Sequence, residues 1–320
     1  MDGDELPDLA DRQRRVLAIC GGGYAGLFAA EFLARLERRL GQRPLGEVFD
    51  LIAGTSIGGL LALGLAKGMR AAELPPLLTE LGPVLFSRSA YGLFRAKYDA
   101  APLVDKVADV FGDTTLSSLT RRVLIPAVNM TGGETLVFSN GPNDPTASRP
   151  VREAALATSA APWYLPPHQA DRRLYADGGL VANSPEALAA IEAVHGRGWP
   201  RDRVKLLVVG STQVSARLPG HLLGARWGLL DWVRDGRLLT TAMRAQMSLA
   251  RMQARSVLGS ANIIEADVEL NAAEQKRVAL NKAAPGATHV LETLAKETFE
   301  RFCADHPLLV AEWSAGPGMP

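Results

Sequence analysis

Cysteine is nearly missing from this chain: Cys20 and Cys303 are the only two in 320 residues. Two such distant thiols make no disulfide framework, and they fit a reducing cytosol. Charge of one sign is missing as well. The net charge is +1, so bulk electrostatics names no partner, and no DNA or RNA polymer is expected. Long hydrophobic runs are also absent. The longest, Ile57 to Ala66, is about half of a membrane span, so a lipid substrate has to be reached from the aqueous side. The opening Met1-Asp2-Gly3-Asp4-Glu5 has neither the basic nor the apolar stretch of a secretory signal. No group of Cys, His or carboxylate residues has metal-ligand spacing, so neither a metal nor another cofactor is expected.

What is present is a globular composition, 47% hydrophobic and 22% charged, in a chain long enough for a large buried core. Buried strands are expected at Arg15–Cys20, Phe49–Ala53, Arg122–Asn129, Thr135–Ser139, Arg173–Ala176, Val204–Gly210 and Asn262–Ala266. Helices are expected at Leu27–Leu40, Ser56–Lys67, Val151–Ser159 and Pro185–His195, with Gly68 as a C-cap. Residues 69–120 look less regular, and 140–150 form a loop. Alternating strands and helices argue for an α/β fold with a mainly parallel sheet covered on both faces. The organisation expected is a disordered leader over 1–13, a catalytic domain over 14–196, and a C-terminal α/β extension over 197–320 that completes the fold.

Three short segments carry the chemistry. Ser56 lies in Gly54-Thr55-Ser56-Ile57-Gly58, after a strand and before a helix. Flanking glycines permit a turn sharp enough to lift the hydroxyl clear, which makes Ser56 a candidate nucleophile. Gly21-Gly22-Gly23-Tyr24-Ala25-Gly26 also follows a strand and opens a helix. Read as Gly-x-Gly-x-x-Gly it is a dinucleotide-binding turn, which wants an acid at the end of the next strand. Glu47 and Asp50 come too early for that. Three adjacent glycines suit consecutive N–H groups aimed at a developing oxyanion. Asp177, in Asp177-Gly178-Gly179, is either an ordinary hairpin turn or a general base. Histidine is the usual base beside a serine, yet none of His168, His195, His221, His289 and His306 sits on a glycine turn; only His168 falls near the motifs.

In this order and spacing the three motifs resemble the patatin-like phospholipase family, over roughly Val16 to Glu192. The resemblance implies a three-layer α/β fold with a mainly parallel central sheet flanked by helices and a helical C-terminal region. It makes Ser56 the nucleophile, Asp177 the base, and the N–H groups of Gly22 and Gly23 the oxyanion hole, in a Ser–Asp dyad that cleaves acyl esters of lipids. One departure stands out: Ala25 occupies a position that is often basic in the family. Backbone donors survive that change, so it bears on substrate preference more than on catalysis.

A narrower resemblance lies in Val123–Asn129, Thr135–Phe138, Ala157–Pro162 and Gly179–Pro185. These strings are similar to a bacterial patatin subgroup of cyclic-oligonucleotide antiphage signalling. The similarity implies a cyclic di- or trinucleotide activator that reorganises or oligomerises the enzyme, and a cytoplasmic protein acting at the inner face of the cell's own membrane. The alternatives are a constitutive housekeeping lipase, a patatin-fold binding module whose catalysis has lapsed, and, more distantly, a Rossmann oxidoreductase.

Two further features bear on lipid and regulator. Residues 75–98 and 162–167 are rich in Leu, Phe, Tyr, Trp and Pro, and read as core packing or as an acyl groove. Residues 201–260 carry ten Lys/Arg against three Asp/Glu. There Arg237, Arg244 and Arg251 recur every seven residues and share a helical face, opposed by Leu239, Met243, Gln246, Met247 and Ala250. The plain reading is a solvated basic face. The sharper one is contact with anionic lipid or nucleotide phosphates, with Trp227 and Trp232 as headgroup anchors or as core.

Overall fold

The computed structural model describes residues 12–87, 95–214, 227–228, 231–232 and 237–315. The first half winds as β1 (Arg14–Ile19), α1 (Gly26–Arg39), α2 (Leu45–Val48), β2 (Leu51–Gly54), α3 (Ile57–Lys67), α4 (Leu74–Leu85), α5 (Ala101–Phe111), β3 (Arg122–Asn129) and β4 (Glu134–Ser139). There follow α6 (Val151–Thr158), β5 (His168–Ala170), β6 (Arg173–Asp177), α7 (Gly179–Ala182), α8 (Glu186–Ile191), β7 (Val204–Val209) and β8 (Gln213–Val214). The chain closes with α9 (Arg237–Leu258), β9 (Ile263–Ala266), β10 (Glu269–Leu270), α10 (Ala272–Arg277), α11 (Pro285–Asp305) and α12 (Pro307–Ala315).

The main sheet runs β5-β6-β3-β2-β1-β7-β9, with β4 paired to β3. Its centre, β3-β2-β1-β7-β9, is parallel, whereas β4, β6 and β5 join antiparallel at one side. Parallel strands are covered on both faces and read as continuous apolar runs, and β1, β2 and β7 are buried almost end to end. One face carries the larger core, with Phe28 and Phe32 of α1, Leu61 and Leu65 of α3, and Leu291 and Phe302 of α11. The other is built from small side chains, including Ala189 and Ala190 of α8 and Ala254 and Leu258 of α9. This is the three-layer arrangement the sequence implied.

Within 197–320, strands β7 and β9 belong to the same sheet, β7 directly beside β1 and β9 beside β7. The last helix is fastened as well. Trp313 is fully buried edge-on to Phe49, and its carbonyl accepts from Arg15 and Arg43.

Several expectations need correction. Residues 69–120, expected to be less regular, hold two regular helices, α4 and α5. Three prolines in α4 obscured its pattern, yet Pro75 and Pro76 sit in its first turn, where no N–H is needed. The strand expected at Phe49–Ala53 runs Leu51–Gly54, because the Asp50 carboxylate takes the N–H of Arg15 and pairs with Arg12. The helix expected over Pro185–His195 is α8 followed by a π turn over Glu192–Gly196. Of the leader, residues 1–11 lie outside the described residues. Arg12 is tied to Asp50, and Gln13 accepts from the Trp313 indole, so those two belong to the fold. Tyr91, Phe94 and His221 also lie outside the described residues.

Candidate active site

Parallel α/β sheets place their sites at the carboxyl ends of the strands. Here β1 ends at the glycine loop and β2 at Gly54-Thr55-Ser56, while the antiparallel β6 brings in Asp177 from the other direction. The backbone of Ser56 has φ 56° and ψ −125°, a left-handed strained conformation for a residue with a side chain. The turn is held from three directions. The Ser56 N–H donates to Thr158 Oγ1 at 3.0 Å, Thr158 Oγ1 donates to the Pro126 carbonyl at 2.7 Å, and Thr55 Oγ1 donates to the Ala182 carbonyl at 2.5 Å. Gly58 lets the first turn of α3 lie on β1: a Cβ there would stand 2.3 Å from the Ile19 oxygen.

Asp177 ends β6 opposite Ala127 of β3. The side chain is 5% exposed. Its carboxylate accepts the Gly179 N–H at 2.6 Å, and the Ser56 hydroxyl lies near enough to lower its pKa. Burial pushes its pKa up to about 6, against the pull of those two donors. A carboxylate so placed is charged at neutral pH and close enough in affinity to take a proton from a serine during attack.

The glycine loop closes the third side. Gly21 packs against the turn, with Asn183 Oδ1, the Thr55 oxygen and Ser56 Cβ all within 3.4 Å of where its own Cβ would be. Its N–H is taken by the Asn183 carbonyl at 2.9 Å, and the Tyr24 N–H by the Leu280 carbonyl at 2.8 Å. The intervening N–H groups, of Gly22 and Gly23, donate to no other group among the described residues. Gly23 has φ 57°, which turns the chain between the two anchored residues. Two free donors beside a raised hydroxyl can receive the oxygen of a polarised carbonyl.

From Ser56 an apolar cleft leads away between α3, α4 and the 159–165 segment. Ile57, Leu60, Leu78, Leu81, Leu85 and Phe86 are among its walls, with Tyr164, Leu165 and Leu280. The expected groove over 75–98 and 162–167 is therefore partly realised, and α3 adds a wall to it.

His168 stands apart from this arrangement. It lies in β5 opposite Tyr175, half-buried, where burial and the charge of Arg149 lower its pKa. It makes no hydrogen bond to Ser56 or Asp177 among the described residues. Arg237, Arg244 and Arg251 lie on α9, and the neighbouring face of that helix packs on α7 and α8. Arg237 covers Trp227, and Arg251 pairs with Glu265 at 3.2 Å. Trp227 and Trp232 are in ring contact, and Trp232 is 39% exposed, so it is not core.

Four residues that hold the site had no role assigned from sequence. Thr158 and Asn183 fell inside quoted strings, but their bonds run to Ser56 and Gly21, far along the chain. Gln246 of α9 accepts the Asn183 N–H at 2.9 Å, and Leu280 anchors Tyr24. No local pattern marks such partners; covarying positions among homologues are the signal that would.

Comparison with known proteins gives a consistent result. Residues 17–190 match the family described as patatin-like phospholipase. A cGAMP-activated phospholipase of Pseudomonas aeruginosa is 37% identical over 302 residues, covering 91% of this chain and 89% of that protein. Proteins of the same description from Escherichia coli (39% over 261 residues, 73% of each chain) and Vibrio cholerae (37% over 268 residues, 74% of this chain and 75% of that one) are similar too.

Proposed function

Because the chain belongs to the patatin-like phospholipase family and is a lipid ester hydrolase, we propose that it cleaves acyl esters of membrane glycerophospholipids through Ser56 and Asp177, under the control of a cyclic nucleotide. The observation that carries this reading is the Ser56 hydroxyl on its strained turn, close to the buried Asp177 carboxylate at the head of an apolar cleft. An acyl chain fills the cleft, which brings the ester carbonyl to Ser56. Ser56 Oγ adds to the carbonyl carbon while Asp177 takes its proton. The carbonyl oxygen, now an anion, accepts from the N–H groups of Gly22 and Gly23. Asp177 returns the proton to the departing alcohol and an acyl-serine remains. Water then attacks it, giving its proton to Asp177 and releasing the fatty acid as Ser56 recovers its hydrogen.

The regulatory half of the reading rests on the relatives, each described as cGAMP-activated and matched over most of its length. In this reading the enzyme meets a soluble nucleotide signal in the cytoplasm and acts at the inner face of the cell membrane. Its role is then antiphage defence by self-membrane degradation. Activation through self-association belongs to the same reading.

The test is fatty-acid release from phospholipid vesicles, with and without cGAMP, by the parent chain, Ser56→Ala and Asp177→Asn. The reading expects cGAMP-dependent release by the parent and none above background by either variant. Release that is full without nucleotide makes it a constitutive lipase. Release retained by both variants removes the dyad.

A further inference from the structure

The helix α9 presents two faces with different business. Its inner face reaches the site: Gln246 accepts the Asn183 N–H at 2.9 Å, Asn183 Nδ2 donates to Met247 Sδ at 3.2 Å, and Met243 lies against Gly179. Ala250, Ala254 and Leu258 continue that face into the core beside β9. The outer face has nothing comparable to do. Leu238, Leu249 and Met252 fall within about 60° of one another around the helix, and they are 55%, 53% and 66% exposed. Ala242 and Ala245, also exposed, lie between them.

Charge decides what such a stripe meets. The 22 residues of α9 include four arginines, Arg237, Arg244, Arg251 and Arg255, and no carboxylate. The arginines run along one edge of the stripe. Arg251 and Arg255 pair with Glu265 at 3.2 and 2.9 Å, and both act on the buried Glu186. Trp232, 39% exposed, stands just ahead of the helix. An apolar stripe edged with guanidinium groups and preceded by an indole is the pattern of a helix lying in an interface, its side chains among the acyl chains and its cations among the phosphates.

We propose that the outer face of α9 docks the enzyme on the anionic headgroup layer of a bilayer. This rests on the reading of the chain as a phospholipase and adds the surface by which it meets its substrate. The inner face of the same helix touches Gly179 and Asn183, so docking and site share one element.

The experiment uses the full chain and two double variants, Leu249→Asp with Met252→Asp, and Leu249→Gln with Met252→Gln. Both positions are exposed and neither touches the site; glutamine keeps the helical propensity if the aspartates melt the helix. Co-sedimentation is measured with phosphatidylglycerol-containing vesicles and with pure phosphatidylcholine vesicles, beside hydrolysis of a short soluble ester and light-scattering mass. The parent is expected to prefer the anionic vesicles. Each folded variant is expected to bind them at least about tenfold more weakly, the scale of losing two apolar anchors from an interfacial helix, with soluble-ester hydrolysis unchanged. Parent-like vesicle binding by the variants overturns the proposal. So does a fall in light-scattering mass without a loss of vesicle binding, which makes the stripe an interface between two copies. With cGAMP present throughout, a parent that hydrolyses the ester but does not bind anionic vesicles sinks the docking surface alone; a parent that hydrolyses no ester sinks the phospholipase reading instead.

Discussion

The two ends of this site are made in different ways. Ser56, Asp177 and the glycine loop are set by main chain: each ends a strand of one sheet, and strand pairing fixes where each carbonyl and amide lies. The caps on them are set by side chains and loops from the last third of the chain. Gln246 holds Asn183, and the Leu280 carbonyl holds Tyr24, across more than 60 and 250 residues respectively. The first kind of placement is rigid and tolerates almost no added atom. The second has room to adjust, as the proposed control by a nucleotide requires of some part of the site.

If that contrast is right, changes among the strand ends are severe and changes among the caps are graded. The largest effect is expected from Asp177→Asn. Ester hydrolysis falls about a thousandfold, the worth of a positioned base, while the fold becomes more stable. The sign follows from the raised pKa. Between the ordinary carboxylate range and about 6 the folded chain holds a proton that the unfolded chain releases, so this group's contribution to stability falls as pH rises through that window and stays low above it. Asparagine removes the buried charge, and thermal melts at neutral pH gain on the order of 2 kcal/mol, a gain that vanishes below about pH 4.

Gly58→Ala comes next. The new methyl meets the Ile19 oxygen at 2.3 Å and the Cys20 oxygen at 2.7 Å, and neither strand carbonyl can move away. A loss of about 3 kcal/mol is expected in denaturant unfolding. A variant that keeps parent stability contradicts the idea that strand ends admit no slack.

Gln246→Ala tests the caps. It leaves the buried Asn183 N–H without its acceptor, at a cost of roughly 1–2 kcal/mol. With the glycine loop less firmly seated, kcat falls about tenfold and KM changes little. Equal losses in kcat for Gln246→Ala and Gly58→Ala erase the distinction between the two regions. The smallest effect is expected from Gly286→Ala at the start of α11, where nothing lies within 4 Å of a new Cβ. Melts gain no more than about 1 kcal/mol, from a less flexible unfolded chain and better helix propensity.

The same contrast explains what could be read from the sequence. Glycine motifs after apolar runs announce strand ends, so Ser56, Asp177 and Gly21–Gly26 were legible, as was the α/β layering from alternating periods. The antiparallel side of the sheet was not, because β4, β5 and β6 look locally like any other strands, and direction is settled by the loops between them. Helix α4 was hidden by its prolines, which count as breakers until their place in the first turn is known. Residues such as Thr158, Asn183 and Gln246 carry no local mark; their importance lies in what the fold brings to them.

In the proposed mechanism the Asp177 carboxylate activates the Ser56 hydroxyl. The most direct test of that step is the rate of covalent labelling by a fluorophosphonate, followed as a function of pH with the site found by peptide mass. The account predicts labelling at Ser56 with a rate that climbs to a plateau through a midpoint near 6, and slow labelling at every pH in Asp177→Asn. Labelling at another residue, or a Ser56 rate untouched by Asp177→Asn, would contradict it.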